Sequence, residues 1–152
     1  DITARKLQKK YDFVTAINDC INYIPKNKLS QAFKNVASGL KKGGVFVFDI
    51  SSPKKYEEKI AKGISADDRD DVTYLSFSRV EGDVATLDVT LFIKRKDGAF
   101  DRFDETHVQY VYEVDEIAAA LKENGFSLQE AEGHLGEDIR QSDRICFLAI
   151  KE

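Results

Sequence analysis

The sequence predicts an α/β fold in which a parallel strand–helix–strand unit and a closing antiparallel strand pair flank an inserted three-stranded antiparallel meander. Three observations carry this reading. Two apolar runs, Tyr11 to Ile17 and Val45 to Ile50, are joined by apolar residues at helical spacing. From Val72 to Tyr112 the apolar period changes to two. After Tyr112 a second helical pattern leads into two more short apolar runs.

The 152 residues are enough for one domain with its own core, 1–152. Within it, 1–63 and 113–152 make the main α/β portion, and 72–112 an inserted lid or substrate sheet. The net charge of −4 arises from interspersed acids and bases, which predicts no basic face and no nucleic-acid partner. No apolar run approaches the roughly 18 residues of a membrane helix, and no secretory leader precedes the first strand. The expected setting is therefore cytoplasmic, without a membrane partner. Cys20 and Cys146 stand far apart, without metal-ligand spacing, and are expected to be reduced, buried thiols. No metal site is predicted. The chain contains no methionine and opens on Asp1, so it is expected to be a fragment or a processed chain.

Taken in order, Tyr11 to Ile17 reads as a strand buried on both faces, because its apolar residues are nearly continuous. Pro25 and Asn27 interrupt the chain, and Asn27 is the expected helix cap. Leu29, Ala32, Phe33, Val36 and Leu40 then recur on one helical face, and Gly43-Gly44 is expected to stop the helix. Val45 to Ile50 follows as a second buried strand, giving a parallel crossover unit. Ser51-Ser52-Pro53 opens a short helix that ends near Gly63. The acidic stretch Asp67 to Asp71 is expected to be a solvated loop. Three alternating strands follow, with turns at residues 81–83 and 96–98. Val114, Ile117, Ala118 and Leu121 mark another helix, closed by Asn124 and Gly125. The last strands are Phe126 to Glu132 and Arg144 to Ile150.

No GxSxG elbow, HExxH, phosphate-binding loop or GxGxxG occurs. The chemistry-bearing residues lie at strand ends. Asn18, Asp19, Asn22 and Tyr23 fall within six positions at the end of the first strand, where polar side chains of a parallel sheet meet a ligand. Local capping would use the same residue types. Asp49 closes the second strand in the same manner, either facing a ligand or serving the helix that begins at Pro53. In Arg102 to Tyr110, alternation puts Phe103, Glu105, His107 and Gln109 on one face and Arg102, Asp104 and Tyr110 on the other. A Glu–His pair two residues apart holds an imidazole for proton transfer, or forms a salt-bridge rung on a wet sheet. His134 reads as solvated.

KYDFVTAINDCINYI, a helix ending in LKKGG, the strand VFVFDI, RFDETHVQYVY leading into EIAAALKENGF, and the closing DRICFLAIKE together resemble the class I S-adenosylmethionine-dependent methyltransferases. The likeness is to small bacterial members with an antiparallel sheet inserted after the fifth strand. It implies a partial Rossmann-like methyltransferase sheet, whose fourth, fifth, sixth and seventh strands would be the four outside the meander. It implies S-adenosylmethionine as cofactor, with contacts from Asp1, Ile2, Ala16, Ile17 and Asn18. Asp19 and His107 would be catalytic, and Asn22, Tyr23, Arg102 and Tyr110 would bind a small acceptor. The family's glycine-rich loop and ribose-binding acid are not in this sequence. The expected consequences are weak or no cofactor binding by this chain alone, and an unpaired strand edge at Tyr11 to Ile17 that invites self-association or docking to the missing N-terminal half. The other readings are a non-catalytic interaction module of the same fold and, more remotely, a nicotinamide-dependent oxidoreductase.

Overall fold

The computed structural model describes residues 2–4 and 9–152. Two four-stranded sheets organise the chain. The first contains β1 (Tyr11–Ala16), β2 (Leu40–Ser51), β7 (Phe126–Gly133) and β8 (Arg144–Lys151), in the order β1-β2-β8-β7. The second contains β3 (Ile64–Asp68), β4 (Val72–Glu81), β5 (Val84–Lys94) and β6 (Phe100–Tyr110), in sequence order. Strands β1 and β2 are parallel, whereas β8 runs antiparallel to both β2 and β7. The parallel unit and the closing antiparallel pair are thus those expected from the sequence.

Helix α1 (Leu29–Gly39) and helix α3 (Val114–Glu123) cover one face of the first sheet. Leu29, Ala32, Phe33 and Val36 bury the predicted stripe of α1, and Phe33 packs edge-on to Phe46. Phe46, Phe48 and Ile50 alternate along β2, and Phe48 stacks on Phe147 of β8 at 4.9 Å. Burying one such aromatic side chain contributes roughly 1.5–3 kcal/mol. This row of rings is the centre of the core.

The first strand is at the edge of its sheet, as expected, but it is not buried on both faces: only its Val14 and Ala16 side packs on the core, while Phe13 and Ile17 are 56% and 59% exposed. Its continuous apolar run therefore does not reflect burial on both faces. Asn27 does not cap α1, which starts after a turn at Lys26–Lys28 and has no side-chain cap. Gly39 ends that helix, and Gly43-Gly44 lies inside β2, where the pairing jumps from Tyr11–Leu40 to Phe13–Val45. Gly43 has φ +76, which glycine adopts at little cost. The glycines are thus a bulge rather than a helix stop.

Helix α2 (Pro53–Glu58) begins as predicted, with Ser52 accepting from the Lys55 N–H and proline in the first turn. The acidic stretch does not form a loop throughout, because Ile64–Asp68 is strand β3 and pairs with β4. Its residues are all exposed, so an edge strand keeps the solvated character that the composition shows. The meander therefore has four strands instead of three. Cys20 and Cys146 are free, but Cys20 is exposed and Cys146 half-buried, so the expected burial does not hold.

Candidate functional site

The two sheets meet where the polar end of β1 faces the inner side of β6. Asn18 and Asp19 follow β1 with φ +61 and +50, two successive left-handed residues that reverse the chain into a turn at Cys20–Tyr23. Asn and Asp tolerate this conformation better than other side chains do. Asp49, at the end of β2, holds the reversal. Its carboxylate accepts from the Asn18 N–H at 3.1 Å and the Asp19 N–H at 2.5 Å. Arg144 of β8 lies 2.8 Å from the same carboxylate and 3.8 Å from that of Asp19. The charge on the buried Asp49 is thus compensated by a cation and by backbone donors. Asp49 serves the turn of β1, not the helix at Pro53, whose cap is Ser52.

Asn22 is fully buried and joins both sheets. Its amide donates to the Tyr110 carbonyl at 2.9 Å and accepts from the Ser51 N–H at 2.9 Å. These bonds turn the Asn22 side chain inward, and it fixes the walls of the crevice. Tyr112 reinforces the junction by donating to the Ile24 carbonyl at 2.6 Å.

Asp19 faces the second sheet. Gln109 donates to its Oδ2 at 3.0 Å, the Ser51 hydroxyl lies 3.4 Å from the same oxygen, and Gln109 accepts from Tyr56 at 3.0 Å. Burial pushes the Tyr56 hydroxyl far above its ordinary value, so it remains a donor. Beside this group, the Tyr23 hydroxyl lies 3.2 Å from His107 Nδ1, and His107 Nε2 lies 3.1 Å from Glu105 Oε2. Burial also raises the Tyr23 hydroxyl, with Asp19, Tyr74 and Glu105 adding to the effect against a hydrogen bond from Gln109. Asp19, Tyr23, Glu105, His107 and Gln109 therefore converge on one crevice.

The remaining sequence-predicted residues are placed differently. Ala16 is buried beneath the strand end, and Ile17 and Asn18 are exposed at its mouth. Ile2 is half-buried against the core, and its carbonyl accepts from Asn35 at 2.8 Å. Asp1 lies outside the described residues. Arg102 is on the outer face of β6, where it forms a forked pair with Asp104, so the structure does not bring it into the crevice. Tyr110 contributes its backbone carbonyl at the junction, while its side chain packs against the core. Gln109, Tyr56 and Ser51 were not singled out as site residues from sequence. Gln109 shares the strand alternation of Glu105 and His107, which is the signal that could have found it.

No protein-family model matches the chain. A curated Bacillus subtilis protein named "Putative methyltransferase YqeM" is 33% identical over 147 residues, covering 93% of this chain and 59% of that protein. The chain thus spans about three-fifths of the length of the curated relatives it matches. The crystal structure of an S-adenosylmethionine-dependent methyltransferase from Clostridium acetobutylicum superimposes with a TM-score of 0.92 at 28% identity, over 99% of this chain and 62% of that one. In sequence and fold, the chain is similar to S-adenosylmethionine-dependent methyltransferases over the part of them that it spans. CalS10, an amino pentose methyltransferase from Micromonospora echinaspora solved with S-adenosylmethionine bound, shares the fold at TM-score 0.76 and 22% identity, over 100% of this chain and 63% of its own.

The two-sheet α/β architecture is that of these methyltransferases. Among the described residues, no helix is long and apolar enough to cross a membrane. No group of His, Cys, Asp and Glu among them could hold a metal ion.

Proposed function

We propose that the protein containing this chain transfers a methyl group from S-adenosylmethionine to a small acceptor in the cytoplasm, and that this chain supplies the acceptor side of the cleft. The observation that carries the reading is the Asp49–Arg144 clamp on the Asn18-Asp19 reversal, in a chain with a methyltransferase fold. It fixes an apolar strand end and a ring of polar side chains within one crevice. The residues present fit the cofactor. Ile17 offers an exposed apolar surface to its uncharged parts, and Ala16 leaves the strand end uncrowded. Asn18 presents an exposed amide beside them.

When bound, the cofactor supplies a methyl group on a positively charged sulfur that is already activated. The chain's residues then have to align the acceptor, exclude water and accept a proton. Asp19 and His107 are the groups proposed to receive that proton. Asp19 carries the Gln109 and Ser51 contacts, which orient its carboxylate. Tyr23 lines the acceptor position, and Asn22 holds the wall behind it.

The 152 residues contain no glycine-rich loop, so the chain alone is proposed to hold the cofactor weakly or not at all. Calorimetric titration compares this chain with the protein of its whole open reading frame. Binding of S-adenosylmethionine only by the longer protein is expected, and low-micromolar binding by the 152 residues would overturn the divided-site reading. If the longer reading frame also lacks a glycine-rich loop and binds no cofactor, the protein is an interaction module of this fold instead. The outer edge of β1, which pairs with no strand among the described residues, is proposed to receive another strand, either from the rest of the protein or from a second copy.

A further inference from the structure

We propose that Tyr23, His107 and Glu105 form a proton relay to the methyl acceptor, with Tyr23 meeting the acceptor, His107 acting as base behind it, and Glu105 positioning the imidazole. The inference rests on the methyltransferase reading and deepens it by setting the acceptor class. The acceptor's nucleophile arrives carrying a proton, as in an amine or a hydroxyl group.

The geometry of the three side chains is that of an oriented base. Glu105 Oε2 stands 3.1 Å from His107 Nε2, and Tyr23 Oη stands 3.2 Å from His107 Nδ1. With Glu105 ionised, Nε2 carries the hydrogen and donates to it, leaving the Nδ1 lone pair to accept from the Tyr23 hydroxyl. The ring of Tyr23 meets the imidazole edge-on, with centroids 5.9 Å apart, which restricts rotation of both. The titratable groups facing Tyr23 are His107, the base of the relay, and the acids Asp19, Tyr74 and Glu105, which favour retention of its proton between turnovers.

A structural salt-bridge ladder is the other use of such residues, and this sheet has one on its opposite face. There Arg79 pairs with Asp88, which also accepts from Thr106, and Arg102 pairs with Asp104, which accepts from Thr90. That outer ladder matches each carboxylate to an arginine and a threonine. On the inner face, Glu105 is matched to an imidazole whose second nitrogen leads to a tyrosine hydroxyl at the crevice. The inner set has the direction of a relay, from the acceptor side at Tyr23 through the half-buried His107 to the exposed Glu105.

The step balances. As the acceptor's X–H bond breaks, its proton passes to the Tyr23 oxygen, and the proton of Tyr23 passes to His107 Nδ1. The electron pair left on X forms the new bond to the methyl carbon. The carbon–sulfur bond breaks with its electrons remaining on sulfur, which becomes a neutral thioether. Glu105 stabilises the imidazolium, which then releases its proton to solvent.

The test is nitrogen-15 and carbon-13 NMR of this chain, whose only two histidines are His107 and His134, the latter exposed. The relay predicts a single Nε2–H tautomer for neutral His107, against a tautomer mixture for His134. It also predicts that the Tyr23 Cζ resonance titrates in step with His107. Tyr23→Phe and Glu105→Ala should each shift the His107 tautomer ratio by about fivefold, the worth of one net hydrogen bond. An averaged His107 resembling His134, or a Tyr23 resonance indifferent to His107 protonation, overturns the relay. These signals need no cofactor, so their outcome is separate from the calorimetric test of the methyltransferase reading.

Discussion

Replacing Asn22 with alanine should loosen the crevice by unfastening the two sheets. The amide of Asn22 is the shared partner of the Ser51 N–H and the Tyr110 carbonyl, both 2.9 Å away, in a site closed to solvent. Without it, two backbone groups are left in the interior without that partner. Each unsatisfied group costs about 1–3 kcal/mol. Water entering the space left by the side chain recovers part of this, so about 2–4 kcal/mol of net destabilisation is expected. For a chain of this size that corresponds to a drop in melting temperature of about 5–15 °C. Differential scanning calorimetry of Asn22→Ala beside Thr106→Ala supplies the comparison. Thr106 lies on the exposed outer face, where its loss should change stability by no more than about 0.5 kcal/mol. If Asn22→Ala melts within about 2 °C of the parent, the amide is not the fastening described above.

Two further outcomes follow from the same geometry. Asp49→Asn should destabilise the chain by about 2–4 kcal/mol, because the half-buried Arg144 loses a buried charged partner and the Asn18-Asp19 reversal loses a charged acceptor. Urea titration with unchanged m-value would show it, and wild-type stability would remove the clamp from the account. Acid should loosen the outer ladder, since the Thr106 hydrogen bond and Arg79 hold the Asp88 carboxyl below its ordinary value, and Arg102 with Thr90 does the same for Asp104. A depressed folded-state value means that this contribution is complete above the unfolded value of about 3.9 and is lost as pH falls below it. Asp88→Asn should flatten the stability profile below about pH 4, and an unchanged acid limb would contradict the pairing.

Much of the fold could be read from local pattern, because one buried face leaves a periodic trace. Phe46, Phe48 and Ile50 alternate, and Leu29, Ala32, Phe33 and Val36 recur at helical spacing, so the elements they build were legible. The first strand shows where that inference fails. Phe13 and Ile17 are as apolar as core residues, yet whether both faces are buried depends on the neighbours a strand finds, which its own sequence does not contain. Strand β3 was missed because Asp67 and Asp68 carry the composition of a loop, whereas an edge strand with both faces wet accepts that composition.

The site was legible in part for the same reason. Asp19, Tyr23 and His107 could be marked as chemistry-bearing from their residue types at strand ends. Their assembly depends on contacts across 84 positions or more, such as Tyr23 with His107 and Asp19 with Gln109. Arg102 shows the converse: charge type suggested a ligand contact, while strand alternation puts it on the outer face beside Asp104. Asn22 likewise has the residue type of a ligand contact, but its burial and backbone partners show it as a fastening.

The claim that the end of β1 forms the acceptor-side wall of a methyl-transfer cleft is tested most directly by hydrogen exchange on the protein of the whole open reading frame, with and without S-adenosylhomocysteine. Slower exchange is predicted for the amides of Ile17 to Tyr23, with the outer segment around Thr86 to Thr90 unchanged. Binding of the nucleoside that leaves Ile17 to Tyr23 unprotected would place the cleft elsewhere and contradict the account.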